Sequence, residues 1–389
     1  SAGAIDVTGK GFDGGTTVSN GVYAGGHGPG GGTYGSMIAG ASYGGYGMFG
    51  QGAYAKTNTY GSAEAPLDPG SGGGAGNNVG SRGGAGGGAV RIVADHAVLN
   101  GAIRADASPP SGSSHCSGGS GGGIYLTCST LAGTNGVITA NASSPLSGNH
   151  LGGGAGGGRI AVVYDPDAQK AWPVPAIRFE AMPSVSAGQE TSLPGEIGTL
   201  YFPDAAFFSP TNLFPAQWVG PCPTNLTLSA WTVSNVWTRL PAGVTVTVTN
   251  TLTVAGTNPN LSKLELMATN AESLSVGALA IDGAALSLGW TAYPTYAGRG
   301  YDWVEPAIGV GPTLTCAGDV CLTNGGQLHV YAGLAHPSAG PGYGALVAVG
   351  GTVTTHSNSW IFPVCHPTNG AAPLFRLNHL TLNPGGGFN

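Results

Sequence analysis

Apolar and polar residues alternate with a period of two along much of this chain. The segment "GVTVTVTNTLTVAG" (Gly243 to Gly256) is the clearest case. A period of two places every second side chain on one face of a strand, so the pattern predicts β structure with one face buried. Strand-length runs of this kind recur between short bends through the second half of the sequence. Starting at Leu274, Leu314, Leu346 and Leu374, they read as a strand, a tight bend, a second strand, a turn and usually a third strand. These starts are 40, 32 and 28 residues apart, and loops such as "TAYPTYAGRGYDWVEP" absorb the differences.

The first half repeats differently. "GGAGGGAVRIVADHAVLNGAIRADAS" (Gly83 to Ser108) is followed by "GGSGGGIYLTCSTLAGTNGVITANAS" (Gly118 to Ser143), and "GGGAGGGRIAVVYD" begins a third copy at Gly152. Val90, Ile124 and Ile160 take equivalent places, with spacings of 34 and 36 residues. Each unit is a glycine loop, a strand, a turn and a second strand opening Gly-x-Ile. Repetition at this period predicts stacked supersecondary units. The expectation is an all-β chain, a β-solenoid or parallel β-helix with long glycine-rich loops and an irregular β insertion.

Glycine use sets the expected boundaries. Of 73 glycines, 47 lie within residues 1 to 160. The expected regions are a glycine-rich solenoid over 1–171, an irregular Trp- and Pro-containing β region over 172–240, and a second solenoid over 241–389. Charged residues make up 8% of the chain and the formal charge is −6. No cationic run is present, so a nucleic-acid partner is not expected. No apolar stretch approaches the ~18 residues of a membrane helix, so membrane insertion is not expected either.

Six cysteines, an even number in a low-charge chain, suggest an oxidising compartment and disulfides. Cys316 with Cys321 and Cys116 with Cys128 are local candidates, leaving Cys222 with Cys365. Six cysteines allow fifteen connectivities, so the pairing stays open. With Ser1 read as a mature or domain-cut terminus, the expected location is extracellular or at a cell surface.

The two ends read as complementary. "LFRLNHLTLNPGGGFN" resembles the first half of a repeat, and Gly3-Ala4-Ile5 matches the Gly-x-Ile that opens the second half at Gly101 and Gly136. Ala4, Ile5 and Val7 at one end, and Leu380, Leu382 and Phe388 at the other, are therefore candidate assembly positions. The expected partner is the chain itself, head to tail in a filament or as covalently repeated modules.

The phrases "GGAGGGAVRI", "GGSGGGIYL", "GGGAGGGRIAV", "LTNGGQLHVYAG", "YGALVAVGG", "SWIFPVCHPTNGAAPLFRL" and "GGGFN" resemble glycine-rich modules of very large secreted or surface proteins of environmental bacteria. The resemblance covers most of the chain outside its middle. It implies an extracellular location and repetition, without a biochemical activity.

Chemical motifs are sparse. Gly118-Gly119-Ser120-Gly121-Gly122 fits a nucleophile elbow in letters, but that motif needs a strand–turn–helix, and no helix follows. Polysaccharide-cleaving sites on parallel β-helices need carboxylates or a base clustered on one face. Arg91, Asp95, His96, Arg104 and Asp106 are the candidates, read here as solvated strand-face charges. Asp165-Pro166-Asp167 reads as a turn rather than a calcium site. The nine histidines are dispersed, and neither a metal nor a cofactor is expected. Tyr34, Tyr43, Tyr46 and Tyr54 lie in a glycine loop, where they could stack on sugars or anchor the loop. Asn141, Asn225 and Asn260 open glycosylation triplets. The reading is a structural subunit or module of an extracellular fibre or surface assembly, and not an enzyme. The alternative is an adhesin-like glycan-binding β-helix, with a polysaccharide lyase or hydrolase third.

Overall fold

The computed structural model describes residues 3–19, 24–34, 39–48, 57–76, 78–112, 116–146, 152–184, 194–267, 273–289, 310–366 and 370–389. The described residues are almost all β, and every named strand pairing is parallel. The chain divides into two compact units. Unit 1 is Ser1–Phe207 with Phe214–Pro221, and unit 2 is Phe208–Leu213 with Cys222–Asn389. The segment 172–240, read from the sequence as a region of its own, is shared between them.

Unit 1 contains β1 (Ala4–Asp6), β2 (Ala89–Val93), β3 (His96–Val98), β4 (Ala102–Arg104), β5 (Gly123–Thr127), β6 (Thr130–Ala132), β7 (Gly136–Thr139), β8 (Arg159–Val163), α1 (Pro166–Gln169), β9 (Ile177–Glu180), β10 (Thr199–Tyr201) and β11 (Gln217–Val219). Three ladders result. The first runs β2-β5-β8-β10-β11, the second β1-β4-β7-β9, and the third pairs β3 with β6. Register follows the sequence repeat. Val90 pairs Ile124 and Ile124 pairs Ile160, while Ile5 pairs Ile103 and Ile103 pairs Ile138. Ile103, Ile124, Ile138 and Ile160 are buried, so equivalent apolar positions stack in rows through the unit. Where a strand beside β6 would follow, α1 stands instead. The amide of its buried Gln169 accepts from the Leu131 N–H at 2.8 Å and donates to the Leu131 carbonyl at 3.1 Å. One side chain thus satisfies both backbone groups that a neighbouring strand would have paired.

The glycine loops pack beside these ladders as extended segments. Gly84 and Gly87 donate to the carbonyls of Ser117 and Ser120, and Gly70 and Gly73 donate to those of Gly87 and Gly84. Bonds between segments thus recur every third residue. That spacing belongs to an extended helix of three residues per turn without internal hydrogen bonds, whose backbone groups must pair sideways. Side chains have no room at this spacing. A Cβ on Gly87 would lie 1.9 Å from the Ala105 oxygen, and one on Gly121 2.0 Å from the Ala140 oxygen. Serines replace glycine where a hydroxyl can join the network. Ser120 Oγ accepts from Ser71 N at 2.8 Å, and Ser117 Oγ accepts from Gly74 N at 2.7 Å.

Unit 2 contains β12 (Asn225–Leu228), β13 (Trp231–Ser234), β14 (Trp237–Leu240), β15 (Thr245–Ala255), β16 (Lys263–Leu266), β17 (Ser273–Asp282), β18 (Ala285–Leu288), β19 (Thr313–Cys316), β20 (Val320–Thr323), β21 (Gln327–Tyr331), β22 (Tyr343–Thr355), β23 (Trp360–Val364), β24 (Ala372–Leu382) and β25 (Gly387–Phe388). One ladder runs β14-β16-β18-β21-β23-β25. The other sheet is built from long strands that bend midway. β15 pairs β12 through its first half and β13 through its second, and β17 pairs β19 and β20 in the same way. The bend in β17 falls at Gly277, where a Cβ would meet the Thr249 oxygen at 2.4 Å. Leu264, Leu286, Leu328 and Ile361 face Val246, Leu274, Leu314 and Val347 across one apolar core.

Two sequence expectations change here. The copies starting at Leu274 and Leu314 are in register, but Leu314 pairs Val347, one residue beyond the expected Leu346. A slip of one reverses the faces, and the core is filled by Val347 and Val349. The last segment also goes further than the half-repeat expected, since β24 pairs β22 and β25 joins the other ladder beside β23.

Candidate functional site

The residues proposed for polysaccharide chemistry lie on separate ladders. Arg91 on β2 sits 6.0 Å from the centre of the Tyr125 ring. β2 ends at Val93, so Asp95 falls on the following bend and not on the strand of Arg91. His96 Nδ1 on β3 is 2.8 Å from Thr130 Oγ1. Asp106 accepts from Thr139 Oγ1 at 2.9 Å and from the Asn141 N–H at 2.7 Å, which ties it to the next pass of the chain. Asp165 caps α1, accepting from the N–H groups of Asp167 and Ala168. Ser120 is buried in the glycine network, so its hydroxyl braces backbone. Among the described residues, no group of three or more His, Cys, Asp or Glu could hold a metal ion.

No disulfide joins any of the six cysteines in this structure, so the expected pairing is not shown. Cys316 on β19 points into the core and bonds to the carbonyls of Gly318 and Asp319, while Cys321 on β20 alternates with buried Val320 and Leu322 and faces outward. Opposite faces of a sheet cannot be bridged. Cys222 precedes the first pass of unit 2 and Cys365 follows β23 in the fifth. Four strand spacings of about 4.8 Å separate them along the stack, beyond the ~7 Å limit of a disulfide. Burial pushes the Cys128 thiol up to about 11 and the Cys222 thiol up to about 12, so both stay protonated.

The glycine-loop tyrosines divide between the two roles proposed for them. Tyr34 is 53% exposed, whereas Tyr43 is fully buried, 4.7 Å from the Tyr60 ring and 5.4 Å from the Arg159 guanidinium carbon. Arg159 Nε also donates to the Tyr60 carbonyl at 2.9 Å, so Tyr43 anchors the loop. Burial raises the Tyr43 hydroxyl above its ordinary range. Tyr54, His115 and His150 lie outside the described residues. The proposed assembly positions other than Val7, which follows β1, lie on strands at the edges of their sheets. Ile5, Leu380 and Leu382 are exposed apolar side chains, and Val7 is half-buried. Phe388 packs edge-on against Phe375, with ring centres 5.2 Å apart.

Sequence reasoning missed one cluster in unit 2. Parallel register carries Arg239 to Glu265, Ser287, His329 and Phe362, one position on each successive strand. These side chains alternate with core residues and so belong to the opposite face of the sheet, where Arg239, Glu265 and Ser287 are buried as well. Arg239 Nε lies 2.9 Å from Glu265 Oε2, which also accepts from Trp237 Nε1 at 2.8 Å. Lys263 Nζ sits 4.2 Å from the centre of the Trp237 ring. His329 stacks on Phe362 at 4.4 Å between ring centres. Burial opposes ionisation of Glu265, but the charges of Arg239 and Lys263 and the donated hydrogen bonds hold its carboxyl below the usual range. Burial, with Lys263 beside it, pushes His329 down to about 3, so the ring is neutral near pH 7. The carboxylate and the imidazole are thus committed to neighbours inside the protein, as in a structural brace. The only sequence signal was the outward parity of "WTRL", "KLEL", "ALSL" and "QLHVY", which becomes a cluster only in register. No family model, curated protein or solved structure matches this chain.

Proposed function

We propose that the chain is a β-solenoid that serves as a structural module of an extracellular fibre or surface assembly, joined to its neighbours through the open edges of its coils. The observation that carries this reading is parallel register maintained pass after pass, with apolar strand edges left open. On unit 1, among the described residues, β2 and β3 pair on one side only, and Val93 and Val98 are exposed. On unit 2, among the described residues, β24 pairs only β22, and Leu380 and Leu382 are exposed. Open parallel edges carry unpaired backbone groups that template further strands, and a heterologous contact of this kind propagates into a filament. No disulfide is shown here to support an oxidising compartment. The extracellular assignment therefore rests on low charge, glycine content and repetition.

Electron microscopy of concentrated protein tests the proposal, with filaments or end-to-end oligomers expected. Leu380→Lys with Leu382→Lys should shorten them, and discrete monomers at every concentration would defeat the idea. A glycan-binding reading draws on exposed Tyr34 and on Trp172, 47% exposed with its ring 6.3 Å from that of His96. Retention on a glycan array, lost in Trp172→Ala, would favour it.

A further inference from the structure

Four consecutive passes of unit 2 carry the same outward pair. On β12 it is Asn225 and Thr227, on β15 Thr245 and Thr247, on β17 Ser273 and Ser275, and on β19 Thr313 and Thr315. Between the members of each pair sits a buried Leu226, Val246, Leu274 or Leu314, which fixes the parity. The pairs are in register. Asn225 and Thr227 pair Thr245 and Thr247, Thr247 pairs Ser275, and Ser273 and Ser275 pair Thr313 and Thr315. No register shift interrupts these rows, since the irregularity in β15 comes only after Val248. Neighbouring strands lie about 4.8 Å apart, and alternate residues about 6.7 Å apart along a strand, so the eight side chains form a two-dimensional lattice.

All eight positions are exposed or half-buried. None is charged and none is aromatic. Thr313 Oγ1 lies 2.8 Å from His336 Nε2, and Asn225 Nδ2 is 3.5 Å from Thr224 Oγ1. Among the described residues, Thr227, Thr245, Thr247, Ser273, Ser275 and Thr315 have no side-chain hydrogen bond to protein. Each of these hydroxyls therefore has one donor and two acceptor sites to offer. Threonine is stiff at χ1, so ordering its hydroxyl against a partner costs little entropy.

We infer that this face binds a crystalline water surface. Ice presents both donors and acceptors, in a fixed lattice and without charge, and the array likewise is uncharged, regularly spaced and able both to donate and to accept. Charged side chains would hold their own hydration shells against such a partner, and the array has none. A crystalline polysaccharide would be the other regular neutral partner, but sugar recognition uses aromatic platforms, which these positions lack. Threonine also favours strands for its packing alone, and the experiment separates that case.

The test is partition of the purified full chain into slowly growing ice, together with inhibition of ice recrystallisation. The wild type should enter the ice and keep crystals small. Thr247→Lys with Ser275→Lys, at the centre of the array, should reduce both effects several-fold with an unchanged circular dichroism spectrum. Thr227→Lys, on an exposed and separate strand, should do so to a lesser degree and covers the case in which the central variant fails to fold. Exclusion of the wild type from ice would overturn the inference, as would folded variants with full activity. Retention on microcrystalline cellulose or chitin with exclusion from ice would reassign the face to a polysaccharide. Neither readout depends on filament formation, so this result and that of the microscopy are independent.

Discussion

Gly87 illustrates how single residues act in this protein. Its missing Cβ is replaced by the Ala105 carbonyl of a neighbouring segment, which approaches to 1.9 Å of where that carbon would be. Backbone must move to admit a methyl group there, and overpacking of this kind costs about 1–3 kcal/mol. Gly87→Ala is therefore expected to lower stability by that amount in urea titration. Gly3→Ala, where nothing lies within 4 Å of the added carbon, should be near neutral. A second residue-scale effect concerns pH. Unfolded, His329 takes up a proton near pH 6.5, whereas folded it does so only near 3. Between those values the unfolded state binds the extra proton, so stability falls as pH drops below 6.5. His336, also lowered by burial, acts in the same sense, and Glu265 adds its own loss only below its unfolded value of 4.5. His329→Phe keeps a ring against Phe362 and should flatten the fall of Tm between pH 6.5 and 4.5, leaving the share of His336.

Strand pairing decides what neighbouring side chains become. Arg239 and Glu265 stand on adjacent strands and are nearly inaccessible, so removing one charge strands the other. Glu265→Gln is expected to cost about 3–5 kcal/mol, whereas an apolar replacement of both should cost far less, as for other buried pairs. Comparing the two variants by chemical denaturation checks this. Pairing also explains the thiols. Inward Cys316 and outward Cys321 differ by an odd number of residues across a bend, and parity keeps them apart. Six thiols should titrate in the unreduced, denatured protein, and reductant should leave Tm unchanged. Linear spacing gave no hint of this, because five residues is short along the chain but crosses from one face of the sheet to the other.

At the scale of the molecule, the chain is two units of parallel strands, each with its own rows of apolar side chains. The sequence determined much of this by itself. Alternation marked the strands, and the glycine repeat aligned Val90 with Ile124 and Ile160 and Ile5 with Ile103, because a row buried in the core must repeat its apolar residue on every pass. It also indicated where glycine was obligatory, without indicating why. Only the tertiary structure decided the rest. The one-residue slip at Val347, the side-chain amide of Gln169 standing in for a strand, the Arg239 to Phe362 column and the hydroxyl lattice all depend on which residue faces which across a ladder. Intervening loops vary in length, so chain position does not encode that alignment, and the physical property that fixes it is the joint packing of many strands around one core.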